Sequence, residues 1–438
     1  MKRVLFAGIA DDDTGASDLA GMLADQGVRT VLLLDASSPE DLLCCAPPPE
    51  AVILATATRA LPPEVAKQKT AAAVSLAAEW EPRTIEIKYC STFDSTEAGN
   101  IGPSLDAAME ILGEPFTVAL PALPVNGRTT YRGHHFVKEE LLSESPMRSH
   151  PLTPMTDSNL VRWLSRQTYR RVGLTPHEVV DRGADAIRQS WREQQANGIS
   201  ISILDCLSEE HAAELCEAAA DYRLVSGSST FGRHLPAAWN RRGWFTPAPG
   251  ALWPDRLRAP GRGRLVVAGS CSVATAAQNE WLSRQGANVF EVEARALACG
   301  DAAQLAGPIG RALAGNQTVL LKTRSAPADL IAAQKWGVER GWSPAELGLK
   351  IAAGLADVAA RAIETVPPDV LVSAGGETSS ALCRRLRIRG LAVGKNIQPG
   401  VPLCLPLEGR CIPMVLKSGN FGSEDFYGRA FDAAAAAR

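Results

Sequence analysis

Short apolar runs rich in β-branched residues alternate with longer Ala- and Leu-rich segments through the first half of the chain. Runs of this kind predict buried strands, and they occur at Val4–Ile9, Arg29–Leu34, Ala51–Ala55, Thr84–Tyr89, Phe116–Leu120, Ile199–Leu204 and Tyr222–Ser226. Helical spacing of apolar positions follows between several of these runs, for example in Pro62–Trp80 and Ser208–Ala220. The alternation predicts an α/β fold with a parallel, doubly wound sheet covered by helices.

A segment dense in Pro and Gly, 243-GWFTPAPGALWPDRLRAPGRGR-264, interrupts this alternation, because both residues end helices and central strands. A new strand is predicted directly after it at Leu265–Ala268, followed by a helical pattern over Ser270–Gln285. Further strands of a second α/β unit are predicted at Thr318–Lys322, Val370–Ala374 and Met414–Lys417. We therefore predict two domains, residues 1–250 and 251–438.

Length and composition agree with a folded protein of more than one domain. The chain has 438 residues, of which 46% are hydrophobic and 21% are charged, as is typical of soluble globular proteins. The formal net charge of -3 lacks the basic footprint of a nucleic-acid-binding protein. No run approaches the roughly 18 apolar residues that a membrane helix needs, which argues against a membrane partner.

Cysteine usage and the N-terminus predict a cytoplasmic location. The 10 cysteines contain no C-x-x-C pair, so neither a zinc site nor a disulfide framework is indicated. The apolar stretch at the N-terminus is too short for a secretory signal. The sequence leaves open whether the protein forms a homo-oligomer.

Three consecutive aspartates, Asp11, Asp12 and Asp13, stand in 8-GIADDDTGASDLAG-21, where a predicted strand leads into a predicted helix. Thr14 or Asp13 is suited to cap that helix, and early carboxylates favour its positive end. Three adjacent carboxylates repel one another, however, so capping alone is the weaker interpretation. A ligand site at the carboxyl end of the strand is favoured.

Two further stretches of the first half carry candidate polar residues. In 88-KYCSTFDSTEAGNIGP-103, Lys88 ends a strand and Asp94 and Ser95 follow in a loop, where composition alone favours a turn with a helix cap near Ser95. In 121-PALPVNGRTTYRGHHFV-137, a strand end leads to Arg128 and to two adjacent histidines. Adjacent side chains face apart on regular backbone and no third ligand has matching spacing, so metal binding by the histidines is disfavoured.

Three Gly- and Ser-rich turns follow predicted strands in the second half: 268-AGSCSVAT-275, 373-SAGGETSSA-381 and 416-LKSGNFGS-423. Small residues let backbone N–H groups approach a phosphate, and a following helix adds its positive end. Together the turns predict a nucleotide site. It is not a standard P-loop: 390-GLAVGKN-396 has the wrong spacing and is interpreted as a surface turn.

The assembled motifs resemble those of the four-carbon acid sugar kinases. ADDDTGASDLA, KYCSTFDSTEAGNIGP, PALPVNGRTTYRG, HPLTPMTDSNL, GSCSVAT, AGGETSSA and LKSGNFG occur in the order and approximate spacing of that family, from about Lys2 to Tyr427. The form CSTFDST-x-x-GNIGP looks like the 3-oxo-tetronate kinase branch. Threonate and erythronate kinases more often read K-x-D-S-T-x-R-G-N, with a basic residue where this chain has Glu97-Ala98.

The resemblance implies an N-terminal domain that binds a sugar acid and a C-terminal domain that binds ATP, with the two domains closing on each other. Asp11 and Asp12 match the family's acidic pair and are expected to face the substrate's hydroxyls. Asp13 stands where relatives usually carry an apolar residue, so helix capping suits it better. The family's nucleotide-binding pattern maps onto Ser272, Gly375, Gly376, Glu377, Thr378 and Gly419.

A four-carbon sugar acid has a carboxylate at one end and a primary hydroxyl at the other. Lys88 or Arg128 is suited to hold the carboxylate, and Asp94 and Ser95 are the other candidates for substrate contact. Asp12 and Asp94 are both candidates to accept the hydroxyl proton, with Mg²⁺ bridging the phosphates of ATP. The ligands of the metal stay open.

The expected activity is ATP-dependent phosphorylation of the 4-hydroxyl of 3-oxo-tetronate. Alternatives are a threonate or erythronate kinase and a sugar-acid-binding protein without turnover. A metal-dependent sugar-acid lyase or isomerase that uses the acidic cluster is a further alternative.

Overall fold

The computed structural model describes residues 4–35, 48–150, 153–248 and 262–437. The chain divides into two compact units, Met1–Pro249 and Gly250–Arg438. The domain boundary predicted at about residue 250 falls within 249–261, which lies outside the described residues.

The first unit alternates strands and helices. Its strands are β1 (Phe6–Ala10), β2 (Thr30–Leu33), β3 (Ala51–Ala55), β4 (Thr84–Lys88), β5 (Thr117–Leu120), β6 (Arg128–Tyr131), β7 (His134–Val137), β8 (Glu140–Leu141), β9 (Val172–Thr175), β10 (Ile201–Leu204) and β11 (Leu224–Gly227). Among the described residues, its helices are α1 (Asp13–Asp25), α2 (Pro63–Glu79), α3 (Ile101–Leu112), α4 (Leu160–Ser165), α5 (His177–Val180), α6 (Ala184–Ala196), α7 (Glu209–Ala219) and α8 (Thr230–Arg241).

The main sheet of this unit has the strand order β2-β3-β1-β4-β11-β5-β10-β9, and its strand pairs are parallel. From β1 the chain moves to β2 and β3 on one side and then to β4 on the other, so the winding reverses between β1 and β4. Ala10, the last residue of β1, lies beside Lys88, the last residue of β4. The predicted doubly wound parallel sheet is confirmed, and its reversal point is where such sheets bind ligands.

A small antiparallel sheet of β6, β7 and β8 was not predicted from the sequence. Its strands are short and polar, so they lack the apolar pattern by which strands are recognised. The turn between β6 and β7 consists of Arg132 and Gly133, both with positive φ, of 48° and 74°. This hairpin fixes the position of Arg128 at the start of β6.

The second unit is a smaller α/β fold. Its strands are β12 (Arg264–Ala268), β13 (Asn288–Val292), β14 (Thr318–Thr323), β15 (Val370–Ala374), β16 (Gly390–Gln398), β17 (Val401–Pro406) and β18 (Met414–Lys417). Among the described residues, its helices are α9 (Val273–Arg284), α10 (Ala294–Cys299), α11 (Ala306–Ala314), α12 (Pro327–Val338), α13 (Pro344–Thr365), α14 (Gly376–Arg385) and α15 (Phe426–Ala436).

The sheet of the second unit has the order β13-β14-β12-β15-β18-β17-β16. The strands from β13 to β18 in that order are parallel, and β17 is antiparallel to both of its neighbours. The winding repeats that of the first unit, because the chain runs from β12 to one side and then returns to β15 on the other. The second reversal point therefore lies between β12 and β15.

Apolar side chains on both faces of the strands explain why each sheet is covered. In the second unit Val266, Leu320 and Val372 are buried together with Phe426 and Tyr427 of α15. The interpretation of 390-GLAVGKN-396 as a surface turn is wrong, since these residues lie in β16, whose first five residues are buried. None of the helices in the described ranges is long and apolar enough to span a bilayer.

Candidate active site

Helix α1 begins where β1 ends, and the residue that caps it is Asp12. The Oδ1 atom of Asp12 accepts a hydrogen bond from the backbone N–H of Gly15 at 2.6 Å, and the Asp12 backbone is extended. Asp13 is already the first residue inside the helix. The prediction that Asp13 or Thr14 caps the helix is therefore wrong, because a cap residue has non-helical backbone and a side chain that reaches the first turn.

One arginine from the loop after β3 holds both of the predicted substrate-facing aspartates. Arg59 donates from Nε to Asp11 Oδ2 at 2.9 Å and from Nη2 to Asp11 Oδ1 at 2.7 Å. It also donates from Nη1 and Nη2 to Asp12, at 2.8 and 2.9 Å. The guanidinium offsets the repulsion between the two carboxylates. Desolvation nevertheless raises the pKa of Asp12 above its ordinary value, with Arg59 opposing that rise.

A lysine at the end of β4 approaches the same turn of α1. Lys88 is 3% exposed, and its ammonium donates to the carbonyl of Tyr89 at 2.9 Å. A Cβ atom added at Gly15 would lie 2.5 Å from Asp12 Oδ1, 3.2 Å from Lys88 Nζ and 3.5 Å from Arg59 Nη2. A carboxylate, an ammonium and a guanidinium thus converge on the first turn of α1, at the reversal point between β1 and β4.

A further carboxylate lies about one turn along α1. Asp18 accepts a hydrogen bond from the hydroxyl of Ser229, which follows β11. Desolvation raises the pKa of Asp18, and Lys88, the Ser229 hydroxyl and Arg128 oppose the rise. Lys88 and Arg128, the two cations predicted to hold the substrate carboxylate, therefore both lie close enough to Asp18 to lower its pKa. The buried Oδ1 atom of Asp18 has no hydrogen-bond partner among the described residues.

Arg128 lies in the small sheet and donates from Nη1 to the carbonyl of Asn126. Its Nε atom is buried without a hydrogen-bond partner among the described residues. On the next strand, His135 is bound between Thr130 Oγ1 at 2.9 Å and the carbonyl of Ser91 at 2.8 Å. Burial lowers the pKa of His135 to about 4, so its ring is neutral near pH 7.

Asp94 lies in the loop after β4, is 7% exposed and accepts a hydrogen bond from Thr92 Oγ1 at 2.5 Å. The pKa of the nearby Cys90 thiol is raised to about 11, mainly by burial. The charge of Asp94 adds to this rise, and the charge of Arg59 opposes it. Asp94 and Arg59 therefore share one neighbour. Phe93 holds the loop with a φ of 55°, a left-handed conformation that costs energy for an aromatic residue and is enriched at functional sites.

Ser95 braces this loop from the inside. Its hydroxyl donates to the carbonyl of Phe93 at 2.9 Å and accepts hydrogen bonds from Trp163 Nε1 at 3.0 Å and Gln167 Nε2 at 2.9 Å. These three bonds use the whole capacity of a hydroxyl group. A contact between Ser95 and the substrate stays a prediction. The helix cap expected near Ser95 is wrong, since the residue that precedes α3 is Asn100.

In the second unit, three turns follow β12, β15 and β18, which are neighbours in the sheet. The Gly- and Ser-rich stretches are thus at adjacent strand ends, as predicted. The N–H groups of Gly269 and Ser270 each donate to the carbonyl of Ala374 at 3.2 Å, which ties the first turn to the second. The N–H of Gly375 donates to the carbonyl of Lys417 at 2.9 Å, which ties the second to the third.

The third turn is bonded back to the first through Ser272. Its hydroxyl donates to the carbonyl of Gly419 at 2.6 Å and also caps α9 by accepting from the N–H of Thr275 at 3.2 Å. Gly375 has a φ of 124°, which an L-residue rarely adopts, and it directly precedes α14. Helices α9 and α14 therefore both begin at these turns, and the backbone N–H groups of their first residues favour an anion there.

These turns form one end of a cleft of about 350 Å³ within the second unit. Five of the predicted nucleotide-binding residues line this cleft: Gly375, Gly376, Glu377 and Thr378 of the middle turn, and Gly419 of the third turn. The remainder of the wall is mostly apolar and comes from helices α10, α12 and α13: Ala294, Leu330, Ala333, Leu347, Ile351 and Ala352. A cleft with a polar, glycine-lined end and an apolar end suits a ligand that has both kinds of group.

Several of these residues were not found from the sequence. Arg59 is the basic residue of 55-ATATRAL-61, directly after a predicted strand, and its position at a strand end was a usable signal. Asn100 holds the backbone of that loop by donating to the carbonyls of Thr58 and Arg59 at 2.8 and 2.7 Å. Asp18 and the apolar wall residues carry no distinctive sequence pattern, since they resemble ordinary helix residues.

Comparison with family models assigns both units. Residues 6–235 match a model described as a sugar-binding N-terminal domain, and residues 265–427 match one described as a nucleotide-binding C-terminal domain. A Pseudomonas fluorescens protein named 3-oxo-tetronate kinase is 40% identical over 431 residues, which cover 98% of this chain and 96% of that protein. A protein of the same name from Cupriavidus necator is 39% identical and covers 98% of this chain and 96% of its own length.

A solved structure of a Salmonella typhimurium LT2 protein has the same fold along nearly the whole chain. It is 35% identical, covers 97% of this chain and 98% of its own, and superposes with a TM-score of 0.84. The family models together match most of the chain, and the relatives match it almost end to end. This protein therefore belongs to the four-carbon acid sugar kinase family.

Proposed function

We propose that this protein is an ATP-dependent kinase that phosphorylates the terminal 4-hydroxyl of 3-oxo-tetronate. The observation that carries the proposal is the 40% identity, along 98% of the chain, to a relative named for this kinase activity. The loop sequence CSTFDST-x-x-GNIGP supports the same substrate over threonate or erythronate. The first unit binds the sugar acid, and the second unit binds ATP.

The charged cluster at the reversal point of the first unit suits a sugar acid. Lys88 and Arg128 supply positive charge for its carboxylate, and an arginine can hold a carboxylate through two hydrogen bonds. Asp11 and Asp12 accept hydrogen bonds from its hydroxyl groups. Arg59 positions both aspartates through its four hydrogen bonds.

Phosphoryl transfer needs an acceptor for the proton of the attacking hydroxyl more than it needs covalent chemistry. Asp12 is one candidate, because desolvation raises its pKa above the ordinary value of a carboxylate and so makes it a stronger base. Asp94 is the second candidate, on the neighbouring loop. Either carboxylate acts by orienting the hydroxyl and taking up its proton as the new P–O bond forms and the bond from the γ-phosphorus of ATP to its bridging oxygen breaks, which releases ADP.

The cleft of the second unit suits ATP. Its apolar wall accommodates a nucleoside, and its glycine-lined end presents small residues and helix N-termini to the phosphates. Ser272 supports this end by holding the Gly419 carbonyl. The turn from Gly375 to Thr378 provides the backbone that the phosphates approach.

The described residues also fit a phosphate-bound Mg²⁺. No three His, Cys, Asp or Glu side chains among them converge as a cage for a metal ion. Mg²⁺ in phosphate-transferring sites usually keeps several waters and takes only one or two carboxylates besides the phosphates. Glu377, the one described carboxylate that lines the cleft, would hold it there. When bound, Mg²⁺ supplies charge neutralisation for the phosphates.

The test is an ATP-consumption assay of the purified full chain against 3-oxo-tetronate, threonate and erythronate. We expect kcat/KM for 3-oxo-tetronate to exceed that for the other two acids by at least about tenfold, since a site that pairs with a carbonyl leaves polar groups unpaired when a hydroxyl replaces it. Phosphorus NMR of the product should show a 4-phosphate. Comparable efficiency on all three acids would remove the substrate assignment, and sugar-acid binding without ATP consumption would remove the kinase assignment.

A further inference from the structure

Lys417 ends β18 beneath the glycine-lined end of the cleft and is 1% exposed. Its Nζ atom donates to the carbonyl of Ser418 at 2.9 Å, to the carbonyl of Gly419 at 3.2 Å and to Thr275 Oγ1 at 3.3 Å. An ammonium group has three N–H donors, so these oxygens can take all of them. All three acceptors are neutral.

The carbonyl of Gly419 is the centre of this arrangement. Besides Lys417, it accepts hydrogen bonds from Ser272 Oγ at 2.6 Å and from Thr275 Oγ1 at 2.8 Å. Three donors therefore hold one carbonyl, which fixes the orientation of the peptide that follows Gly419. Gly419 itself lines the cleft, so the turn that Lys417 holds is part of the ligand-facing surface.

The charge of Lys417 has no counter-charge among the described residues. Burial lowers the pKa of Lys417 to about 8, and burial is the only cause of the shift, because no carboxylate acts on it. The ammonium is therefore still mostly protonated at pH 7. A buried charge without an opposite partner destabilises a folded protein, so its presence beside a cleft indicates that an anion balances it when the cleft is filled.

We infer that Lys417 is a positioning residue of the nucleotide site, which fixes the Gly419 turn and supplies the buried positive charge that the phosphates of a nucleoside triphosphate balance. This role rests on the proposed function, because it requires the cleft of the second unit to bind ATP. The contribution of Lys417 to binding affinity should therefore increase with the number of phosphates on the ligand.

The first experiment compares Lys417→Met with Thr275→Val by calorimetric binding of ATP, ADP, AMP and adenosine to the full-length protein. Both variants lose a hydrogen bond to Gly419, but only Lys417→Met loses the charge. We expect Lys417→Met to weaken ATP binding by roughly 10- to 100-fold, as for the loss of a charge-assisted interaction. The loss should decrease from ATP to AMP and vanish for adenosine, whereas Thr275→Val should weaken the three nucleotides to the same extent.

The second experiment uses the unmodified protein, so it does not depend on the folding of a variant. If the phosphates balance Lys417, ATP binding at pH 8.5 should be accompanied by proton uptake, which appears as a dependence of the binding enthalpy on the ionisation enthalpy of the buffer. The other titratable side chains near this turn include Cys271 and Glu377, which line the cleft, and Cys404 and Tyr427, which are buried in the second unit. Burial raises the pKa of Cys271, Cys404 and Tyr427 above their ordinary values, and the 6 histidines of the chain all precede residue 250. The same titration of Lys417→Met should therefore show no comparable proton uptake.

The outcomes separate this inference from the proposed function. Failure of the unmodified protein to bind ATP would overturn both. ATP binding without proton uptake would overturn the role of Lys417 and leave the nucleotide site intact. An equal loss of ATP and adenosine affinity in Lys417→Met would also overturn it, because that result describes a collapsed turn and not a missing charge.

Discussion

Arg59 holds Asp11 through both prongs of its guanidinium, with Nε 2.9 Å from Oδ2 and Nη2 2.7 Å from Oδ1. The two residues come from loops after β1 and β3, which are neighbouring parallel strands. Arg59 binds Asp12 as well, so one cation serves two adjacent carboxylates. Arg59 therefore fixes the positions of both carboxylates, which are not free surface charges.

Mutation should distinguish the roles of Asp12 and Asp13, at the start of α1, and of Asp94, in the loop after β4. Asp12→Asn and Asp94→Asn should each lower kcat and kcat/KM, and the true proton acceptor should lose roughly 100- to 10,000-fold, the usual range for general-base assistance. ATP binding should change little, since the nucleotide site is in the other unit. Steady-state kinetics measures kcat and kcat/KM for the sugar acid and the KM for ATP, and circular dichroism checks that each variant is folded.

Asp13→Asn is the matched control. It removes a carboxylate from the first helical position, where a negative charge is worth at most about 1 kcal/mol of stability. Turnover should be nearly normal. A protein in which Asp13→Asn abolishes turnover while the other two variants stay active would contradict the assignment of roles within this stretch.

Gly15 should be intolerant of a methyl group. Gly→Ala inside a helix normally stabilises by about 1 kcal/mol, but here the new Cβ would lie 2.5 Å from Asp12 Oδ1 and 3.2 Å from Lys88 Nζ. Displacing either group by about 1 Å is enough to lower kcat/KM by roughly 100-fold. Gly310→Ala provides the control, because a Cβ at that helical position meets no atom within 4 Å. Equal activity of both variants would show that the Gly15 turn is not part of the site.

Cys271 offers a direct probe of ligand binding in the cleft. It is an exposed thiol that lines the cleft between Ser270 and Ser272, and burial of part of the side chain raises its pKa. A non-hydrolysable ATP analogue at about ten times its Kd should slow alkylation of Cys271 by iodoacetamide about tenfold, as measured by peptide mass spectrometry. The exposed thiol of Cys299, which does not line the cleft, should be alkylated at an unchanged rate. Protection of neither thiol would place the nucleotide elsewhere.

Glu86 should make the stability of the protein depend on pH. Neither of its carboxylate oxygens has a hydrogen-bond partner among the described residues, and burial raises its pKa from 4.5 to about 8. Between these values the folded state binds a proton that the unfolded state has released. Stability attributable to Glu86 is therefore present below pH 4.5 and is lost as the pH rises toward 8, by up to about 1.4 kcal/mol per pH unit.

The variant Glu86→Gln tests this sign. An amide does not ionise, so the Tm of Glu86→Gln relative to the unmodified protein should rise between pH 5 and pH 8. Differential scanning calorimetry at these two values measures it. A Tm difference that stays constant with pH would mean that Glu86 is not protonated in the folded protein.

The apolar pattern of the sequence was enough to determine most strands of the two main sheets, namely β1 to β5, β10 to β12, β14, β15 and β18. Each predicted strand is present within two residues of its expected ends, because parallel strands buried on both faces consist of short, continuous apolar runs. The strands β6, β7, β8 and β13 were missed because they are short, polar or exposed. β9 is a short, half-buried edge strand that contains Gly173, and β16 and β17 form an antiparallel pair whose runs are interrupted by glycine or proline. The order of the seven motifs likewise determined the family.

Tertiary structure alone decided which residues of those motifs act together. The sequence cannot show that Arg59 reaches Asp11, or that Lys88 lies beside Gly15, because these contacts depend on which strands become neighbours when the sheet winds in two directions. For the same reason Asp12 caps α1, although Asp13 fitted the local pattern equally well: the choice was made by where β1 ends. Lys417 is the clearest case, since nothing in the letters of 416-LKSGNFGS-423 shows that its ammonium lies buried beneath a turn, without a counter-charge.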